Sequence, residues 1–155
     1  CSLGVPELIQ QPIEAAGLSL IFTGVSVGNP HCVVFKPTGE SWSREELLAL
    51  GPALEHHKLF PKRTNVQLVV PTGRNEVFIL IWERGAGETQ ASGSSSCAAA
   101  SAAVRLGLVK SPVTVKMPGG VLNIAVAPDF SLTMKGPVAE VARGTLSPSF
   151  IRGLK

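Results

Sequence analysis

The sequence contains no tyrosine at all, only two tryptophans and two methionines, and three cysteines in 155 residues. Each scarcity excludes something. No stretch of about twenty apolar residues is present, so the sequence offers no membrane-spanning helix. Lys and Arg are scattered singly (Lys36, Arg44, Lys58, Lys110), and only Lys62 and Arg63 stand side by side. The net charge of +3 therefore reads as a mildly basic, solvated surface. Nucleic-acid binding would ask for a basic stripe with interleaved aromatics. Cys1, Cys32 and Cys97 form no CxxC pair and lack the His/Cys spacing of a zinc site, so no metal is expected. An odd cysteine count without a signal peptide points to a reducing, cytoplasmic setting. The chain opens on Cys rather than Met, which suggests a trimmed start or a fragment.

What is present is a 45% hydrophobic chain of a length suited to one domain. Short β-like runs dominate: residues 18–27, 31–36, 65–70, 76–83, 113–117, 121–127, 131–135 and 138–142. Turn chemistry separates them at Gly28-Asn29-Pro30, Pro71-Thr72-Gly73, Pro118-Gly119-Gly120 and Pro128-Asp129. Two helices interrupt. The first, over 43–57, starts from Ser43 with Glu46 three positions on, a capping-box spacing; with Leu47, Leu48, Leu50 and Leu54 on one side it reads as an ordinary surface helix. His56 and His57 at its end face its C-terminal dipole.

The second helix, from 94 to about 106, is built of Ser, Ala, Cys, Val and Leu, with one charge at Arg105 and Gly107 as a C-cap. A helix without a polar face belongs inside something. With some eight strands available, a sheet curled around it is the expected arrangement, an α+β architecture.

The start of that helix is the first candidate for chemistry. A helix N-terminus presents unpaired N–H groups and a positive dipole end, both favourable to anions. Gly93 lets a ligand approach the backbone, and Ser94 to Ser96 add hydroxyls, although such serines ordinarily serve as helix caps. Glu83 and Arg84 end a strand just before the loop, while Gly85, Gly87 and Gly93 keep that loop bare. Asn29 and His31 at a strand break, and Asn65 at a strand entry, complete the set. Each of these taken singly reads as a structural residue.

Taken together and in order, "GNPHCVVF", "LGPALEHHKLFPKRTNVQLV", "ERGAGETQASGSSSCAAA" and "GPVAEVARG" resemble the C-terminal half of the diaminopimelate epimerase family. The likeness reaches back to "SLGVP" at 2–6. This family consists of cofactor-independent amino-acid epimerases and racemases, placed in the lysine and peptidoglycan-precursor pathway. The resemblance implies two similar lobes, each a mostly antiparallel β-barrel around a central α-helix. Residues 1–155 would be the C-terminal lobe, with the N-terminal lobe absent. It implies no cofactor, a small amino-acid or dicarboxylic substrate, and a second lobe to close the cleft.

The resemblance further implies that backbone N–H groups at Gly93 and Ser94 hold the substrate's α-carboxylate. Asn29, Asn65 and Arg84 would contact its distal end, and Glu83 would sit near the α-amino group. His31 and Glu83 would tune the reacting groups. One position departs from the pattern. Where the family keeps a catalytic cysteine in an "ACGTG"-like motif, this chain has Ala91-Ser92-Gly93-Ser94-Ser95. Ser92 thus takes the acid/base place with a far weaker acid than a thiol. Cys97 reads as packing within the helix, and Cys32 as strand core. Two further readings stay open: a non-catalytic carboxylate-binding module, and a one-base isomerase of another substrate.

Overall fold

The computed structural model describes residues 8–153; the Ser2–Pro6 stretch of the resemblance lies outside them. Nine strands form one mixed sheet: β1 (Gln11–Ala15), β2 (Leu18–Ser26), β3 (Pro30–Phe35), β4 (Asn65–Gly73), β5 (Glu76–Glu83), β6 (Gly87–Thr89), β7 (Val113–Met117), β8 (Gly120–Val126) and β9 (Leu132–Lys135). Three helices accompany them: α1 (Arg44–Glu55), α2 (Gly93–Arg105) and the short α3 (Pro148–Arg152). The sheet order is β1-β2-β3-β4-β5-β7-β8-β9, with β6 hairpinned onto β5. Two pairs are parallel, β3 with β4 across α1 and β5 with β7 across α2; the rest are antiparallel.

Strand alternation sorts the core onto two faces. On one, Cys32, Val34, Val66, Leu68 and Val70 pack with Leu47, Leu50 and Leu54 of α1. On the other, Val33, Val69, Ile79, Ile81, Val113, Val115 and Ile124 pack around α2. The unbroken run Ala98–Ala103 is buried, Ser101 included, and α2 meets seven strands, β2 to β5 and β7 to β9. An enclosed, small-residue helix is what the sequence indicated.

The expected barrel is not closed. β1 and β9 are the two ends of an open sheet. Along the gap α2 keeps a half-buried stripe, Gly93, Cys97 and Val104, spaced as one helical face. A hollow of about 420 Å³ sits there, between Val27 just past β2 and Leu132 and Met134 of β9.

Four local readings need correction. The segment 138–142 is not a strand: Val138 is 99% exposed, its neighbours are irregular, and it pairs with no strand of the sheet. β1 and β6 were not expected, since β1 carries Pro12 and β6 sits within the glycine loop. Leu48 faces solvent although its neighbours Leu47 and Leu50 are buried. Finally, α1 is more than a surface helix. A Cβ at Gly51 would stand 2.5 Å from the Trp82 ring, so only glycine lets α1 lie this close to β5. Its capping box is present as expected, Glu46 N–H donating to Ser43 Oγ and Ser43 N–H to Glu46 Oε2.

Candidate functional site

Two groups of expected residues are brought to the same side of the sheet. The first gathers at the start of β3, the start of β4 and the end of β5. His31 lies opposite Asn65 across the parallel β3–β4 pair. Its Nε2 is 3.0 Å from Asn29 Oδ1. The Asn65 side chain works at both ends: Nδ2 donates to the Pro30 carbonyl at 3.1 Å, and Oδ1 accepts from the Arg84 N–H at 2.9 Å. Asn65 thereby staples the GNPH turn to the Glu83–Arg84 corner. Glu83 accepts from Thr89 Oγ1 at 3.1 Å. The exposed Arg84 guanidinium donates to the Lys62 carbonyl at 2.9 Å.

His31 is only 1% exposed, and its pKa falls from 6.5 to about 4. Burial is the main cause. The polar side chain of neighbouring Gln67 and the negative charge of Glu83 oppose it, and the positive charge of Arg84 reinforces it. His31 is therefore a neutral imidazole at physiological pH.

The second group is the start of α2. Ser92 occupies the N-cap with extended backbone angles, yet its side chain makes no capping bond. Its carbonyl accepts from both Ser96 N–H (3.1 Å) and Ser96 Oγ (2.8 Å). Of the serines read as ordinary caps, Ser94 to Ser96, none stands at the N-cap, and Ser96 bonds back to the Ser92 carbonyl. The first-turn N–H groups, which have no intrahelical partner in any α-helix, keep their positive end without a capping side chain at Ser92. Two hollows flank the site: the one along the gap, which Gly93, Ser94 and Cys97 line, and another of about 260 Å³ bordered by Ser92, Gly93, Gly119 and Gly120. A roomier apolar hollow of about 440 Å³, lined by Ile21, Phe35, Pro71, Leu106 and Leu108 among others, shares no residue with the site.

The glycines divide by role. Gly85 and Gly87 have φ of +80° and +84° and make the β5–β6 hairpin, so the turn itself requires them. Gly93 is tight instead: a Cβ there would lie 3.1 Å from Met134 Sδ. Gly119 is tighter still, for a Cβ would meet the Gln90 carbonyl oxygen at 2.8 Å, and its N–H donates to that oxygen at 2.7 Å. The Pro118–Gly120 turn thus holds the loop that delivers Ser92.

Cys32 is wholly buried and its thiol pKa is driven upward by burial. Cys97 is less enclosed than expected, since it borders the gap hollow, but partial burial raises its pKa as well.

Two contributors were not anticipated. Gln67, on β4, is completely buried and donates from Nε2 to Ser95 Oγ at 3.0 Å, linking the strand group to the helix start. Glu55, the last residue of α1, is 3% exposed and accepts from the Trp82 indole (2.7 Å), the Gly85 N–H (2.9 Å) and Arg63 (3.2 Å). At the other end of α1, Arg44 grips Glu88 of β6 with two parallel bonds, at 2.9 and 2.7 Å. Both ends of the helix hold the hairpin that bears Glu83 and Arg84. A sequence signal for Glu55 existed: it follows Leu47 and Gly51 at i, i+4, i+8, a charged residue in line with a buried face.

The sequence profile described as "Diaminopimelate epimerase" matches residues 23–141. Among individual proteins, the diaminopimelate epimerase of Synechococcus sp. (strain JA-3-3Ab) is 42% identical over 147 residues, covering 93% of this chain and 52% of that protein. That of Azotobacter vinelandii (strain DJ) is 47% identical over 133 residues, covering 85% and 47%. The chain spans about half the length of these relatives. In three dimensions it is similar to a Bacillus anthracis phenazine biosynthesis protein of the PhzF family, with TM-score 0.51 and 15% identity over 73% of this chain and 37% of that one. A Clostridium difficile (strain 630) PhzC/PhzF protein gives TM-score 0.51 and 14% identity over 70% and 40%. These two speak for the fold alone. The motifs from Gly28 to Ala100 lie within the stretch that the profile matches, the one that begins at Gly136 runs three residues past its end, and the chain belongs to the diaminopimelate epimerase family.

Proposed function

We propose that this chain is the C-terminal lobe of a cofactor-independent amino-acid epimerase or racemase acting in the cytoplasm, and that it supplies one half of the active-site cleft. The observation that carries the reading is the start of α2, with no side-chain cap at Ser92 and with hollows on either side. An α-amino acid would rest its carboxylate on the N–H groups of Gly93 and Ser94. As the Cα–H bond breaks, its electron pair delocalises into that carboxylate, and the helix dipole stabilises the added negative charge. A base on one face takes the proton, and an acid on the other returns one. Inversion requires both, so a second lobe must provide the opposing group.

On this side the acid/base position belongs to Ser92. Its hydroxyl has no capping bond and points to no internal role, but it is a poor proton donor and acceptor beside a thiol of pKa about 8.5. Proton transfer here should be slower than in relatives with cysteine by about 10²–10⁴-fold. Glu83 would meet the α-amino group. Asn29, Asn65 and Arg84 would meet the distal end of a dicarboxylic or diamino acid, of which diaminopimelate is the first to try. Asn65 has one amide hydrogen left for this beyond its structural bonds.

The test is exchange of the α-proton into deuterated water by the full-length protein with a panel of amino acids. Exchange establishes an isomerase. Binding without exchange would establish the second reading, a carboxylate-binding module, which the Ser92 hydroxyl and the raised pKa of Cys97 favour. In that case Ser92→Cys should bring exchange back.

A further inference from the structure

Between α1 and β4 the chain makes two successive tight turns. Phe60 N–H donates to the His57 carbonyl and Arg63 N–H to the Phe60 carbonyl, each at 2.8 Å. Phe60 docks edge-on against Phe22, with ring centres 5.5 Å apart. The loop then closes on one residue: Thr64 N–H donates to the Glu55 carbonyl at 3.3 Å, and Arg63 Nη1 to Glu55 Oε1 at 3.2 Å. Arg63 has a φ of +60°, a region that glycine enters freely and other residues seldom do. The main chain alone would favour glycine here; what arginine adds is its grip on the buried Glu55 carboxylate. The same torsion sets where the Lys62 carbonyl points relative to that grip, and this carbonyl is the one that accepts from Arg84 Nη1 at 2.9 Å.

We infer that Arg63 is a positioning residue for Arg84: through Glu55 it holds the loop whose Lys62 carbonyl aims the Arg84 guanidinium. The main chain of Arg84 is fixed independently, by its own N–H to Asn65 Oδ1 and by the Gly85 N–H to Glu55 Oε1. Its side chain is exposed and rotamer-rich, so the Lys62 carbonyl is what selects one direction for it. Glu55 Oε1 receives both Arg63 and Gly85, which makes loop and hairpin share one anchoring atom. The Lys62 bond uses Nη1. The Nε–Nη2 edge meets no acceptor among the described residues, and its two parallel donors suit a carboxylate. Use of that edge on a substrate's distal carboxylate rests on the proposed isomerase function; the anchoring of Arg84 does not.

The experiment is an arginine side-chain ¹H–¹⁵N spectrum of the 155-residue chain, with Arg84 identified by its loss in Arg84→Lys. A guanidinium held at Nη1 turns slowly and shows separate Nη signals, whereas a free one averages them. Separate signals are expected for Arg84 in the wild type. Arg63→Gly keeps the turn, which glycine suits, and removes only the grip, so it should collapse them. Glu55→Gln should collapse them too, and adding it to Arg63→Gly should change nothing further. The Trp82 indole signal in Arg63→Gly checks that the fold is kept. If Glu55→Gln does not fold, the wild type and Arg63→Gly still decide. Averaged Arg84 signals in the wild type, or separate ones surviving in Arg63→Gly, overturn the inference. In the full-length protein, Arg63→Gly should weaken diaminopimelate binding about 5- to 10-fold, the scale of one lost hydrogen bond. Diaminopimelate bound with unchanged affinity overturns the role of the Nε–Nη2 edge. Should Arg84 be anchored as stated and the full-length protein bind no amino acid, the isomerase reading falls alone.

Discussion

The Trp82 indole N–H donates to Glu55 at 2.7 Å, and the other oxygen of the same carboxylate takes the Gly85 N–H at 2.9 Å. One side chain thus fastens both the strand that ends in Glu83 and the turn that follows it. Burial disfavours the ionised form, but the indole, the Gly85 N–H and the charges of His56 and Arg63 outweigh it and hold the carboxyl below its ordinary 4.5.

Replacing Glu55 by Gln sets an amide N–H against one of these donors. It should destabilise the chain by about 1–3 kcal/mol. Thermal unfolding monitored by tryptophan fluorescence reads both the loss and the changed Trp82 environment. The contribution is also pH-dependent. With the folded pKa depressed, it is fully present above 4.5 and is lost as pH falls below that value. Unfolding curves of wild type and Glu55→Gln should therefore converge in acid.

His31 adds an acid sensitivity at higher pH. Its pKa is about 4 in the fold against 6.5 unfolded, so only the unfolded chain takes up this proton between those values. Stability is complete above 6.5 and declines as pH falls toward 4, by up to about 3 kcal/mol from this residue. Denaturant midpoints measured across that range should fall, and should fall less in His31→Gln. Equal slopes in the two proteins would refute the assignment.

Gly119→Ala should displace the loop that carries Ser92. The new methyl would meet main chain at 2.8 Å, and backbone cannot swing aside as a side-chain tip can. Loss of the Gly119 N–H bond to Gln90 and overpacking together should cost about 2–3 kcal/mol. In amide spectra the largest shifts are expected at Gln90 to Ser94. Shifts confined to the β7–β8 turn would show the loop to be independent.

A cysteine at 92 would sit at the positive end of α2, which lowers thiol pKa. In a Cys1→Ser background, Ser92→Cys should be alkylated at neutral pH well ahead of Cys97, and Cys32 should stay inert until the chain unfolds. Burial raises the pKa of both native thiols. Mass spectrometry of a timed alkylation orders the three; reaction at Cys97 first would place the helix start out of reach.

The sequence was informative where a local rule and the tertiary structure agree. Ser43 and Glu46 announced a capping box, and an alanine run without a polar face announced an enclosed helix. It misled where the deciding contact is distant. Val138 to Ala142 has strand-like composition, but a strand exists only where the chain pairs with a neighbour, and this segment pairs with none. Ser94 to Ser96 look like caps, yet the N-cap is Ser92, and Ser95 is engaged by Gln67 from β4. Glu55 and Gln67 are engaged by partners 27 to 30 positions away, which no window of sequence contains, and for Glu55 the local sign is only its place in line with Leu47 and Gly51. The site residues were found as a set because their order matched a family, while their wiring to one another was visible only in the fold.

The sheet that stops at β9 also governs how the chain behaves in concentrated solution. On the side away from β8, its main-chain donors and acceptors have no strand to meet among the described residues. Met134 on that strand and Val138 and Val141 beyond it are exposed, with Lys135 the one charge on the strand itself. Such an edge is a template for another strand, and a second copy of the chain is always to hand. Solubility at this end is therefore a separate property from folding stability. A lysine at Met134 should improve the first and leave the second almost untouched.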